Sequence, residues 1–105
     1  MKKVWQKKEM KDAKDMGGKV TPRSGGFWSN PGDVKTDEFL IDSKTSIHDR
    51  FSIPVKMWKK VRKEALTSQR MPLLSLEYGK TERVEVVVLD RNDFITLLDK
   101  SRGGK

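Results

Sequence analysis

Apolar and polar positions alternate with a period of two between residues 39 and 44. Phe39, Ile41 and Ser43 fall on one side and Leu40, Asp42 and Lys44 on the other, which predicts a strand. Just upstream, Asp33-Val34-Lys35 reads as a second short extended piece, and Thr36-Asp37 is polar enough to turn the chain. Pairing of 33–35 with 38–44 as a hairpin would bring Asp33 back beside Asp42. Residues 2–16 change the period and predict a helix: Trp5, Glu9, Asp12, Ala13 and Met16 share one side, while Lys2, Lys3, Lys7, Lys8, Lys11 and Lys14 occupy much of the remainder. Glu9 stands between Trp5 and Ala13 and is the acid expected to face inward. Asp12 competes for that place, and a solvated Glu9 paired with neighbouring lysines is the bland alternative.

The same reading predicts a second helix over 54–67. Proline in its first turn is favourable because a missing N–H costs nothing there. Trp58, Val61 and Ala65 form the inner stripe with Val55 and Met57 beside it, and Lys56, Lys59, Lys60, Arg62 and Lys63 cover the outside. Such a charge run suits contact with DNA, although on a helix it is usually the solvated face. Residues 72–78 predict a buried strand, 79–82 a turn, and the valine-rich 83–89 the strongest strand in the chain. Asp90 is placed to cap a last helix, with Asp93 favourable to its dipole and Phe94, Ile95, Leu97 and Leu98 as its apolar residues. Phe51-Ser52-Ile53 reads as a short extended piece and 101–105 as a frayed tail.

The segment 17–32 is rich in glycine and proline, with Val20-Thr21 as a brief extended piece, and so long a connection in so small a domain points to a flexible, functional loop. Arg23 offers a fork for phosphate, Ser24 a hydroxyl, and Gly25-Gly26 close backbone approach. Phe27 and Trp28 either stack on nucleobases or cap the small core. His48 sits in a polar stretch, where solvent exposure is the default reading and a phosphate contact the alternative.

Composition narrows the function classes. The 105 residues make one domain with a modest core, since 34% are hydrophobic and 36% charged. A formal net charge of +8 suits a polyanionic partner. Anionic membrane would match the charge, but no long apolar run accompanies it. The absence of cysteine excludes disulfides, Cys-zinc sites and thiol catalysis, and one histidine excludes a multi-His metal site. No N-terminal apolar stretch suggests a signal peptide, so a cytoplasmic location is expected, or the host cytoplasm if the chain is phage-encoded.

Two carboxylates and a lysine converging on a hairpin are the equipment for holding a divalent cation and activating water against a phosphodiester. Pro31-Gly32-Asp33 followed by Asp42-Ser43-Lys44 resembles the catalytic motif of the PD-(D/E)xK nuclease superfamily. With Glu9 on the first helix, Arg23-Ser24-Gly25-Gly26 on the loop, Trp58, Glu64-Ala65, Pro72-Leu73-Leu74 and the final Asp93-Phe94 with Leu97-Leu98, the whole chain is similar to the archaeal-type Holliday junction resolvases and their phage relatives. The resemblance implies an α/β, restriction-endonuclease-like fold with a central mixed sheet flanked by helices. It implies magnesium, or manganese, held by Glu9, Asp33, Asp42 and the Ser43 carbonyl. Lys44 would orient or activate the attacking water, and Ser24 would complete the site when DNA binds. Arg23, Ser24, Lys7, Lys8 and Trp28 would contact the DNA. It further implies a symmetric homodimer cutting opposed strands of a four-way junction. Glutamate is commoner in the family at the position of Asp42, so the ligand here is one bond shorter.

Three other readings stay open on the residues alone. One is a different nuclease of the same superfamily, acting on flaps, nicks or damage. Another is a non-catalytic, basic nucleic-acid-binding module, for which Asp33, Asp42 and Lys44 would be dispensable. A third is an RNA-bound scaffold, which accounts for the charge but not for the convergent acids.

Overall fold

The computed structural model describes residues 4–21 and 33–103, apart from the side chains of residues 4–6, 21 and 33. In chain order the elements are α1 (Val4–Met16), β1 (Lys19–Thr21), β2 (Asp33–Lys35), β3 (Phe39–Thr45), α2 (Val55–Thr67), β4 (Met71–Tyr78), β5 (Val84–Leu89) and α3 (Arg91–Ser101). The strands form one sheet in the order β1-β2-β3-β4-β5. All neighbours are antiparallel except β3 and β4, which run parallel and are joined through α2. A parallel pair needs such a crossover, because a tight turn can only reverse the chain. The architecture is therefore α/β, a mixed sheet flanked by helices, compatible with a restriction-endonuclease-like fold.

The β2–β3 hairpin closes where the sequence predicts it. Thr36 N–H donates to the Phe39 carbonyl at 2.9 Å, and the Thr36 hydroxyl accepts from the backbone N–H of Glu38 and Phe39 at 3.2 and 2.8 Å. This local alternative to the sheet ladder is what threonine supplies at turns. Val34 pairs with Ile41 and Lys35 with Leu40, so the register sets the Asp33 backbone opposite Asp42.

Alternation then divides the sheet between two helices. On one face Val34, Ile41 and Leu73 make a buried cluster against which Ala13 and Met16 of α1 pack. On the other, Leu40, Leu74 and Leu76 lie beneath Val61 and Ala65, the two buried residues of α2. Gly18 allows α1 to run straight into β1: a Cβ there would meet the Lys35 carbonyl oxygen at 2.6 Å. Gly79, at φ +126°, makes the β4–β5 turn in a region that other residues rarely adopt.

Several expectations shift at the periphery. Residues 51–53 carry no strand, and α2 begins at Val55 with Pro54 as its N-cap rather than inside its first turn. Ser101 is still helical, with Arg102 as the C-cap, so the last helix runs further than expected. Trp58 is only half-buried, because its indole reaches sideways to Asp90. Strand β5 is at the edge of the sheet, with Val84, Val86 and Val87 40–51% exposed, and α3 buries none of its residues.

Asp90 stands at the α3 N-cap but makes no capping hydrogen bond with its side chain. Its carboxylate instead accepts from Arg62 Nε and Nη2 at 3.0 and 2.9 Å and from Trp58 Nε1 at 2.7 Å. A bidentate guanidinium contact outcompetes a single bond to a backbone N–H, and it fastens the β5–α3 junction to α2. The Arg62 guanidinium holds the Asp90 carboxyl below the usual aspartate range; partial burial pulls the other way, and the Trp58 indole adds to the lowering. A depressed folded value means that the contribution is fully present above the unfolded aspartate value, about 3.9, and is lost as pH falls through the folded one. Thermal melts of wild type and Asp90→Asn are therefore expected to differ most near neutrality, with the gap narrowing below about pH 4. A gap that stays constant into acid would refute the pairing as the source of that stability.

Candidate functional site

Asp42 and Lys44 project from the α2 face of β3. The Lys44 ammonium lies 3.4 Å from Asp42 Oδ1, and Asp42 is only 7% exposed. The two side chains are two residues apart on a strand and therefore emerge side by side. They open into a cleft of about 530 Å³ whose opposite wall is the first two turns of α2: Pro54, Lys56, Met57 and Lys60, with Val61 at its base. The β2–β3 register brings the Asp33 backbone to the same level of the sheet. The Asp33 side chain lies outside the described residues, as do Arg23, Ser24, Phe27, Trp28, Pro31 and Gly32. Three of the expected site residues, Asp33, Asp42 and Lys44, thus come from one hairpin.

Helix α1 covers the other face of the sheet and places its acids there differently. Asp12 Oδ1 accepts from the Lys8 ammonium at 3.0 Å, and Asp12 Oδ2 accepts from the Ser43 hydroxyl at 2.6 Å. Lys8 also donates to the Ser75 hydroxyl at 2.8 Å. Ser43 and Ser75 are direct neighbours on the parallel strands, so a lysine and an acid from one helix turn dock on two adjacent serines. All four residues are 2–3% exposed. Asp12 is thereby neutralised on the face opposite Asp42, which removes it as the competing acid for the cleft.

Lys8 was expected on a DNA-facing surface, and this is corrected. Its ammonium is spent on Asp12 and Ser75 beneath the helix, whereas Lys7, one position earlier, is exposed. Lys11, on the same flank, reaches Glu85 of β5 at 2.7 Å across the surface, and that bond holds the Glu85 carboxyl below its usual range.

Glu9 is 2% exposed, so it faces inward as its place between Trp5 and Ala13 predicts. Its direction follows from helix geometry. Lys8 and Lys11 lean toward β4 and β5, while at about 100° per residue Glu9 falls between Met16 and Ala13, on the flank nearer β2. It stands one turn, about 6 Å, from Ala13 in the direction of the α1 N-terminus. Strand β2 begins only at Asp33, so past that level β3 has no described neighbour on the β2 side.

As a donor set, carboxylates with a serine carbonyl suit a hard cation such as magnesium. Among the described residues no three acidic or histidine side chains stand close enough to hold one. The set that the sequence assigns includes Asp33, whose side chain is not among them. His48 is exposed, as its default reading has it. Sequence reasoning did not single out Lys56 and Lys60, although they line the cleft with Asp42. Their signal was present as an i,i+4 pair on α2, but Lys59 and Lys63 carry the same one. No protein-family model and no curated protein matches the chain. No helix among the described residues is long and apolar enough to cross a membrane.

Proposed function

We propose that the chain is a metal-dependent endodeoxyribonuclease that resolves four-way junctions, acting as a homodimer on opposed strands. The observation that carries this reading is Asp42, nearly buried in a cleft beside Lys44, on the strand that the register sets against Asp33. A surface hairpin with solvated acids would not bury Asp42 to 7% exposure. Glu9, Asp33, Asp42 and the Ser43 carbonyl would hold magnesium, which supplies polarisation of the phosphoryl oxygen and a lowered pKa for bound water.

The chain's own residues then have distinct work. Lys44, tethered beside Asp42, positions the attacking water and stabilises the charge that develops on the phosphate. The Lys8–Asp12–Ser43–Ser75 network fixes β3 from behind and so sets the direction of the two side chains on its other face. Arg23, Ser24, Trp28 and Lys7 would meet the DNA around the cleft. Two observations favour a second copy as partner: the half-exposed valines of edge strand β5, and the apolar side chains that α3 leaves unburied.

The test compares a four-way junction with a linear duplex of the same length and composition, with and without magnesium. Magnesium-dependent, paired cuts in the junction and little cutting of the duplex are expected. Equal cutting of both would favour a general nuclease of the same superfamily. Tight binding of nucleic acid with no cutting under any divalent metal would favour the non-catalytic module.

A further inference from the structure

We infer that Lys56 and Lys60 of α2 form a phosphate track, holding the DNA strand that enters the Asp42–Lys44 cleft. This inference rests on the nuclease reading and adds to it a part of the substrate-binding surface. The basis is the division of α2 into two basic flanks. Lys56 and Lys60 line the cleft wall opposite Asp42 and Lys44, with Met57 between them. Lys59, Arg62 and Lys63 line a separate groove on another side of the same helix, over Leu66 and Thr67. Arg62 is already committed to Asp90.

The two flanks therefore differ in what they face, although they look alike in sequence. Lys56 and Lys60 are one turn apart, about 6 Å along the axis, which is close to the separation of successive phosphates on a nucleic-acid strand. Both are exposed, and among the described residues neither is in an ion pair, so their charge is available to a ligand. Across the cleft, Lys44 meets Asp42, and the remaining positive charge of the wall is not balanced there. A strand laid along this wall would have backbone phosphates against Lys56 and Lys60 and a neighbouring phosphate over Asp42 and Lys44. Contacts of that kind fix register without reading sequence.

The experiment sets two double variants of the full chain against each other. Lys56→Gln/Lys60→Gln removes the cleft flank, and Lys59→Gln/Lys63→Gln removes the same charge from the other. All four side chains are exposed, so both proteins should fold. Junction affinity is measured by fluorescence anisotropy over a salt series, and cleavage is followed in magnesium. For Lys56→Gln/Lys60→Gln the salt slope should fall by about 2, near one per lost phosphate contact, and cleavage should fall with it. Lys59→Gln/Lys63→Gln should change the slope much less and leave cleavage at the wild-type rate. Equal changes in both doubles, or cutting by Lys56→Gln/Lys60→Gln at the wild-type rate, overturn the inference while leaving the nuclease reading in place. A wild-type chain that neither binds nor cuts the junction overturns both.

Discussion

Asp42→Asn, Asp33→Asn and Lys44→Ala are each expected to stop cleavage of a four-way junction while leaving its binding largely intact. The reason lies in how the proposed site divides its work. Affinity for DNA would come from many lysines and arginines spread over the surface of a chain with a net charge of +8. Chemistry would come from a few charges at the Asp42–Lys44 cleft, where Asp42 is nearly buried and a charge is worth more than in water. Removing one such charge should lower the cleavage rate on the order of a hundredfold or more. Removing a carboxylate should not weaken binding in the absence of metal, and can strengthen it, because a negative charge facing phosphate has gone. In Asp42→Asn the Lys44 ammonium also loses the partner 3.4 Å away, so its position is disturbed as well. The measurement is single-turnover cleavage at saturating magnesium beside anisotropy binding in EDTA. Wild-type cleavage rates in all three variants would end the nuclease assignment.

The second large effect concerns stability and does not depend on function. Lys8→Met is expected to destabilise the fold by about 3–5 kcal/mol, the cost of stranding one member of a buried ion pair. In wild type the Asp12 carboxylate is compensated by the Lys8 ammonium at 3.0 Å and the Ser43 hydroxyl at 2.6 Å. Without Lys8 a buried negative charge keeps only a neutral donor, and Ser75 loses its partner. A domain of this size has about 5–15 kcal/mol in total, so the loss is a large share. Replacing both charges, Lys8→Met with Asp12→Leu, should recover part of it, because no charge is then stranded although the buried Ser43 and Ser75 hydroxyls lose their partners. Urea melts of the two single variants and the double complete the cycle. A Lys8→Met chain within about 1 kcal/mol of wild type would show that water already reaches the pair.

The hairpin was legible because its information is local. Val34, Ile41 and the alternation through Lys44 fix which side chains share a face, and Thr36 supplies its turn within three residues. The identity of the buried lysine was not legible. Lys2, Lys3, Lys7, Lys8, Lys11 and Lys14 look alike in sequence, and Lys8 is distinguished by Ser75, 67 positions away. Asp90 misled for the same reason. An aspartate immediately before a helix has the appearance of a cap, and only the fold brings Trp58 and Arg62 within reach of it. The α2 cleft shows the limit most plainly: Lys56 and Lys60 become different from Lys59 and Lys63 once β3 is known to lie under one flank. The helix predicted between β3 and β4 is the connection a parallel pair needs, but the register of that pair depends on packing across the whole crossover.

The bond between Lys8 and Ser75 also sets an order in time. At about 5–20 residues per second, Ser75 is made roughly 3–13 s after Lys8. Until the hairpin is made, Lys8 and Asp12 can be only an ordinary solvated pair, and Lys8 lacks its second partner throughout the interval. The hairpin that receives Asp12 follows within the interval, but the strand carrying Ser75 arrives after the crossover through α2. Helix α1 is thus made well before the last of the strands to which its side chains bond. A nascent chain halted before residue 75 should leave the Lys8 ammonium without its serine and open to solvent, even with β2 and β3 already paired.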